Sequence, residues 1–167
     1  MKPLRLQLLF TWMVPTGVAG FLVPAALVRQ GQAQPDSPLS MSLTLAATAL
    51  VAFGATLAIA SYRRRLLKFH AGELKQRPGR PNPVFATRVL LLAQAVAIAG
   101  AGFTGWHFGY LIWLLSETVA QGVVETWVGL AASLLALVLG WFGERNCRAP
   151  QDDNGDADAS EVKAGAA

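Results

Sequence analysis

Residues 89–115 read VLLLAQAVAIAGAGFTGWHFGYLIWLL, 27 residues in a row without Asp, Glu, Lys or Arg. As an α-helix this run measures about 40 Å at 1.5 Å per residue, which exceeds the roughly 30 Å hydrocarbon core of a bilayer. It therefore predicts a transmembrane helix that crosses with some tilt. Small residues let helices approach closely, which drives association in lipid. We expect the other helices to assemble on one small helix-packing face: Ala93, Ala97, Ala101, Gly105 and Gly109.

Three further apolar runs are long enough to span a membrane. They cover about 6–28, 38–62 and 122–144, and with a third helix at 83–115 they predict an all-α, four-helix transmembrane bundle. The first run follows Lys2 and Arg5, so a cleaved signal peptide is its alternative interpretation. The length of this run favours a span. We expect its two prolines, Pro15 and Pro24, to kink the helix.

The boundaries and packing of the second and third helices follow from local residue types. Ser37 before Pro38, and Asn82 before Pro83, are typical of an N-cap followed by a first-turn proline. The second helix carries its own stripe of small residues at a spacing of four. We expect this stripe to pack on the third helix: Thr44, Thr48, Ala52, Thr56 and Ala60.

The composition also indicates a membrane protein. The chain has 167 residues, of which 53% are hydrophobic and only 14% charged, which is unusual for a soluble domain. Cys147 is the one cysteine, so an intramolecular disulfide is excluded, and His70 and His107 lie far apart in the sequence. No nucleophile–base pair, paired carboxylates or metal-ligand set can be assembled. We expect no enzymatic activity, no cofactor, no metal site and no binding of nucleic acid.

Basic residues are distributed unevenly between the loops. Seven of the 14 Lys and Arg lie in 63–80 beside a lone Glu73, and the segment before the fourth run has none. The positive-inside rule therefore places both termini and the loop 63–82 in the cytoplasm. This predicts a multi-pass protein of the cytoplasmic membrane. Residues 150–167 are acidic and poor in large apolar residues, so we expect a disordered cytoplasmic tail.

Few polar side chains fall inside the predicted spans. Arg88 and Glu144 lie at similar depth on antiparallel helices, so we expect an ion pair, or alternatively contact of Arg88 with a lipid phosphate. Gln94 and His107 are the remaining candidates for a polar site, and the pattern around His107 favours an anchor in an aromatic belt over a proton carrier. Four basic residues are candidate contacts for anionic lipids: Arg63, Arg64, Arg65 and Lys68. The alternative is that their charges only set the membrane topology.

Three short segments point to a family. They are PVFATR at 83–88 ahead of LLAQA at 91–95, the glycines and alanine within 100–109, and ERNCRAP at 144–150. With these motifs, residues 83–150 resemble a small actinobacterial membrane family, domain-of-unknown-function family 3180. The resemblance implies four helices in an actinobacterial cytoplasmic membrane and supplies no activity. The family prefers lysine where this chain has Gln94.

These observations leave three functional hypotheses. The first is a non-catalytic accessory or scaffold protein that packs against a larger membrane complex or against itself through its small-residue faces. The second is a small transporter or carrier with a polar site near Gln94 and His107. The third is an anionic-lipid-binding membrane organiser that acts through the basic segment 63–80.

Overall fold

The computed structural model describes residues 6–35, 38–76, 79, 82–117 and 122–147. This part of the chain forms four α-helices and no strand: α1 (Leu6–Arg29), α2 (Leu39–His70), α3 (Pro83–Ser116) and α4 (Val123–Cys147). All four are long and apolar enough to cross a membrane, which confirms the predicted four-helix fold. The predicted cap at Ser37 and the predicted tail at 150–167 lie outside the described residues.

α2 extends well past the apolar run that predicted it. It begins after Pro38 without a side-chain cap and continues to His70, whereas the apolar run ends at Tyr62. The additional residues are mostly Arg, Leu and Lys, which are strong helix formers. The chain leaves the helix near Gly72, whose φ of 77° is readily adopted only by glycine.

Prolines are accommodated differently in α1 and α3. α1 runs as one helix through Pro15 and Pro24. α3 has its proline in the first turn, where a missing N–H leaves no hydrogen bond unmade. The Oδ1 atom of Asn82 accepts a hydrogen bond from the Val84 N–H at 3.0 Å, which confirms the predicted N-cap.

Helices adjacent in sequence are not always adjacent in space. Within the described ranges, the backbone of α1 comes close to α3 but not to α2 or α4. α3 also packs on α4 and, less extensively, on α2, whose main neighbour is α4. α1 and α3 run parallel, because Met13 approaches Gly105 while Phe21 approaches Gly109. α3 is therefore the central helix and the main neighbour of α1, whose Leu9 belongs to a buried cluster that Leu137 and Trp141 of α4 also join.

The small stripe of α3 serves two neighbours rather than one. Residues four apart are rotated by about 40° around a helix, so the stripe turns by about 160° between Ala93 and Gly109. Its first two residues therefore face α4 at Gly140, whereas Gly105 and Gly109 face α1. Ala101, in the middle, is buried. The stripe thus turns from α4 to α1 along α3, because a spacing of four exceeds the 3.6-residue helical repeat.

The buried face of α2 likewise departs from the predicted stripe. Thr44 and Thr48 are exposed and Ala60 is half-buried, while Ala52 and Thr56 are buried. A mean spacing of 3.5 residues keeps a helix in contact with one neighbour, and the buried residues follow that spacing: Ser42, Ala49, Ala52, Thr56 and Ile59. Since this face packs mainly on α4, the prediction that the stripe packs on the third helix is wrong for most of its length.

Candidate functional site

α1 and α3 meet through glycines on both helices. A Cβ at Gly17 would lie 3.3 Å from the carbonyl oxygen of Gly105, and a Cβ at Gly109 would overlap the carbonyl oxygen of Gly17. Gly20 in turn faces the backbone of Trp106. Gly105 and Gly109 belong to the predicted stripe of α3, whereas Gly17 and Gly20 were not predicted. The spacing of four between the small residues Thr16 and Gly20 on an apolar helix was the available signal.

A buried carboxyl lies near the end of α4. The Glu144 side chain is 1% exposed, and its Oε1 atom accepts a hydrogen bond from Nε2 of Gln94 at 3.4 Å. Burying a carboxyl without a polar partner is costly, so this amide contributes to holding α3 against α4. Gln94, where the family resemblance implies lysine, is thus a hydrogen-bond partner of the buried Glu144 carboxyl.

The predicted ion pair between Arg88 and Glu144 does not form. Arg88 is exposed, whereas Lys68 and Glu73 form an ion pair at 3.7 Å. One residue corresponds to about 100° of rotation. Arg88 therefore lies on a different side of α3 from the buried Val89, and it precedes Gln94, the residue that meets Glu144, by six residues or about 9 Å.

His107 is buried between α3 and α4. It is 5% exposed, and its Nδ1 atom lies 2.8 Å from the carbonyl oxygen of Phe103, an acceptor, so Nδ1 carries the proton. Its imidazole occupies the space that a Cβ at Gly129 would need. The imidazole thus lies in a helix–helix contact, whereas the side chains of an aromatic belt face the headgroup region. Gln94 is thirteen residues away on the same helix, which is about 20 Å along its axis.

The Tyr110 hydroxyl fastens the loop between α1 and α2 to α3. It donates a hydrogen bond to the carbonyl oxygen of Pro35 at 2.7 Å and accepts one from Nε2 of Gln34, also at 2.7 Å. The Trp113 ring stacks on the tyrosine with 5.7 Å between centroids. This contact could not be predicted from the sequence, because 75 residues separate Pro35 from Tyr110 and neither residue belongs to a motif that indicates it.

Replacing Tyr110 by phenylalanine is expected to lower the free energy of unfolding by about 1 kcal/mol, because two half-buried polar partners lose their hydrogen bonds to the hydroxyl. Tyr62→Phe is the matched control, since the Tyr62 hydroxyl makes no hydrogen bond in the described part of the chain. Thermal unfolding of both purified variants in detergent measures the difference. Equal stability of the two variants would show that the loop is not held by Tyr110.

The separation of α1 from α2 leaves a groove over α3, here called the α1/α2 groove. It holds a cavity of about 590 Å³ whose lining includes Trp12, Thr16, Met41, Phe103 and Trp106. A second cavity of about 410 Å³ adjoins it, and Met41, Ala99 and Phe103 line both cavities. The groove thus extends along most of the apolar length of α3.

A second groove, here called the α1/α4 groove, lies on the other side of α1. It encloses about 830 Å³ and is almost entirely apolar. α1 contributes Val14, Val18 and Leu22 to its wall, and Trp127 and Leu134 of α4 lie opposite. Gln94 lines neither this cavity nor the two cavities of the α1/α2 groove.

Four apolar helices joined by close glycine contacts, with buried polar groups between them, define an α-helical multi-pass membrane protein. A family model described as Protein of unknown function (DUF3180) matches residues 9–151. The chain belongs to this family, which confirms the resemblance found in residues 83–150. No curated protein and no solved structure matches the chain.

Proposed function

We propose that the protein is a non-catalytic accessory component of a larger complex in the cytoplasmic membrane, with both termini in the cytoplasm. The distribution of its basic residues supports this orientation. Its partner is another membrane protein, and one transmembrane helix of that partner lies in the α1/α4 groove. This interface is built by the surfaces of three helices rather than by a small-residue stripe.

The observation that carries this proposal is that α1 packs mainly on α3. One side of α1 is thereby left facing α4 across a groove whose walls are almost entirely apolar. Packing between helices drives association within lipid. A helix placed in this groove gains contacts with α1, α3 and α4 together, which a helix on a convex surface does not.

The concave form of the groove favours a different protein over a second copy as the partner. In a two-fold symmetric dimer the same surface patch must be complementary to itself. Two concave grooves that face each other leave a void between them. The convex surface of a helix from another protein instead fills the groove. The polar side chains of Glu144, His107 and Tyr110 already contact other parts of this chain, which supports a binding role over catalysis.

A photo-crosslinking residue at Val18, which is 53% exposed in the α1/α4 groove, is expected to give one adduct of defined mass in native membranes. The matched control is the same residue at Val51, which is 72% exposed on α2 and lines none of the three cavities. Mass spectrometry of the adducts identifies the partner. Loss of the Val18 adduct in a Leu22→Trp variant, which fills the groove, completes the test.

Three results would contradict the accessory role. One is the absence of any protein adduct from Val18. Another is the same adduct from Val51, which indicates random collision in the membrane. The third is an adduct of twice the 17.7 kDa chain mass, which would show that the groove binds a second copy of this chain rather than another protein.

The lipid-organising hypothesis is the second candidate, because the extension of α2 presents exposed basic residues beyond the span. Arg64, Arg65 and Lys68 are exposed on this extension, where each contributes about 1 kcal/mol of attraction to an anionic surface. The carrier hypothesis receives less support. It requires a shared polar path near Gln94 and His107, which lie about 20 Å apart on α3 and contact different side chains.

A further inference from the structure

We infer that the α1/α2 groove holds one alkyl chain of an anionic phospholipid, with the lipid phosphate at Arg88. This site is independent of the proposed partner interface, which lies on the other side of α1. The lipid belongs to the leaflet at the end of the bundle where α1 and α3 begin and where α2 and α4 end.

The groove is long enough for a single alkyl chain. Its α3 floor extends from Leu92 to Tyr110, which is about 27 Å at 1.5 Å per residue. The two cavities have volumes in the range of about 300–1,000 Å³ that is usual for sites binding a small organic molecule.

The lining selects an apolar occupant. Small residues, Ala99 and Gly102, form part of the floor, and Trp12 and Trp106 contribute aromatic surface. The polar groups present are already used, since Thr16 Oγ1 donates to the Trp12 carbonyl oxygen at 2.8 Å. Tyr110 and His107 are likewise hydrogen-bonded within the chain. A polar headgroup is therefore bound outside these two cavities.

Arg88 supplies the charge complementary to that headgroup. It precedes Leu92 by four residues and so lies on the same helix face, one turn nearer the basic end. Its side chain is exposed and makes no ion pair within the described residues. A guanidinium binds phosphate with two parallel hydrogen bonds. When Arg88 holds the lipid phosphate, an alkyl chain of the same lipid enters the groove over Leu92, where the groove begins.

Native mass spectrometry of the full-length protein tests this site with phosphatidylglycerol and phosphatidylcholine of identical acyl chains. The wild-type protein is expected to retain one phosphatidylglycerol with about fivefold preference, the effect of one cationic side chain near a headgroup. Arg88→Gln is expected to remove that preference. Ala99→Phe, which fills the groove, is expected to reduce retention of both lipids.

Two matched variants are expected to leave lipid retention unchanged. Arg29→Gln removes an exposed arginine at the end of α1, and Ala47→Phe adds a ring on a surface that lines none of the three cavities. Unchanged preference in Arg88→Gln, or unchanged retention in Ala99→Phe, would overturn the site. So would equal losses in Arg29→Gln and Arg88→Gln, which indicate a response to the net charge of the protein. Complete displacement of the lipid by glycerol 3-phosphate would indicate a site for a free phosphate compound.

Discussion

Replacing Gly109 by leucine is expected to separate α1 from α3 and to lower the free energy of unfolding by about 3 kcal/mol, at the upper end of overpacking effects. The new side chain would overlap the backbone carbonyl of Gly17 and approach the backbone nitrogen of Phe21. A backbone atom cannot rotate away as a side chain does, so the whole of α1 must move. Because α1 packs mainly on α3, no other helix contact of comparable extent keeps it in place.

The matched control for this substitution is Gly54→Leu. Gly54 lies within α2, and a Cβ added there would meet nothing within 4 Å. Within a helix, leucine is also more favourable than glycine by up to about 1 kcal/mol. This variant is therefore expected to be at least as stable as the wild type. Thermal unfolding in detergent compares the two variants, and a cysteine pair placed across α1 and α3 reports their separation. Similar stabilities would contradict the close α1–α3 contact.

A leucine at Gly129 is expected to destabilise the contact of α3 with α4 by about 2–3 kcal/mol. The added side chain needs the space that the His107 imidazole occupies. Displacing the ring breaks its hydrogen bond to the Phe103 carbonyl, and the ring then has no comparable buried position.

Truncating the histidine is expected to restore part of the lost stability. In the Gly129→Leu background, His107→Ala vacates the space that the leucine requires, whereas alone it leaves a cavity in the wild type. A double-mutant cycle of unfolding free energies should therefore show a coupling above about 1 kcal/mol. Additive effects of the two substitutions would show that the residues do not share this space.

The number and type of the helices could be predicted because length and hydropathy alone determine which segments span a bilayer. The cap of α3 was also predictable, since Asn82 and Val84 are two residues apart and their hydrogen bond is local. Ala52 and Thr56 were correctly expected to be buried. Thr44 and Thr48 were expected to be buried too, but they are exposed, because a stripe with a spacing of four rotates away from its neighbour.

The contacts between distant residues could not be predicted in the same way. Similar depth suggested Arg88 as the partner of Glu144, yet the helix rotation brings Gln94 there instead. The small-residue stripe of α2 suggested that it packs on α3, whereas α4 is its larger neighbour. The grooves form because the backbone of α1 does not come close to α2 or α4, and no local pattern in the sequence reports such a separation.

The position of α1 beside α3 also determines the order in which this protein is assembled during synthesis. When α1 enters the membrane, its main neighbour has not yet been made, and the chain must grow from residue 29 to residue 116 before α3 is complete. At roughly 5–20 residues per second this takes about 4 to 17 s. α2 likewise enters before its larger neighbour, α4. The first half of the chain is therefore inserted as separate helices, and the bundle closes only after the second half reaches the bilayer.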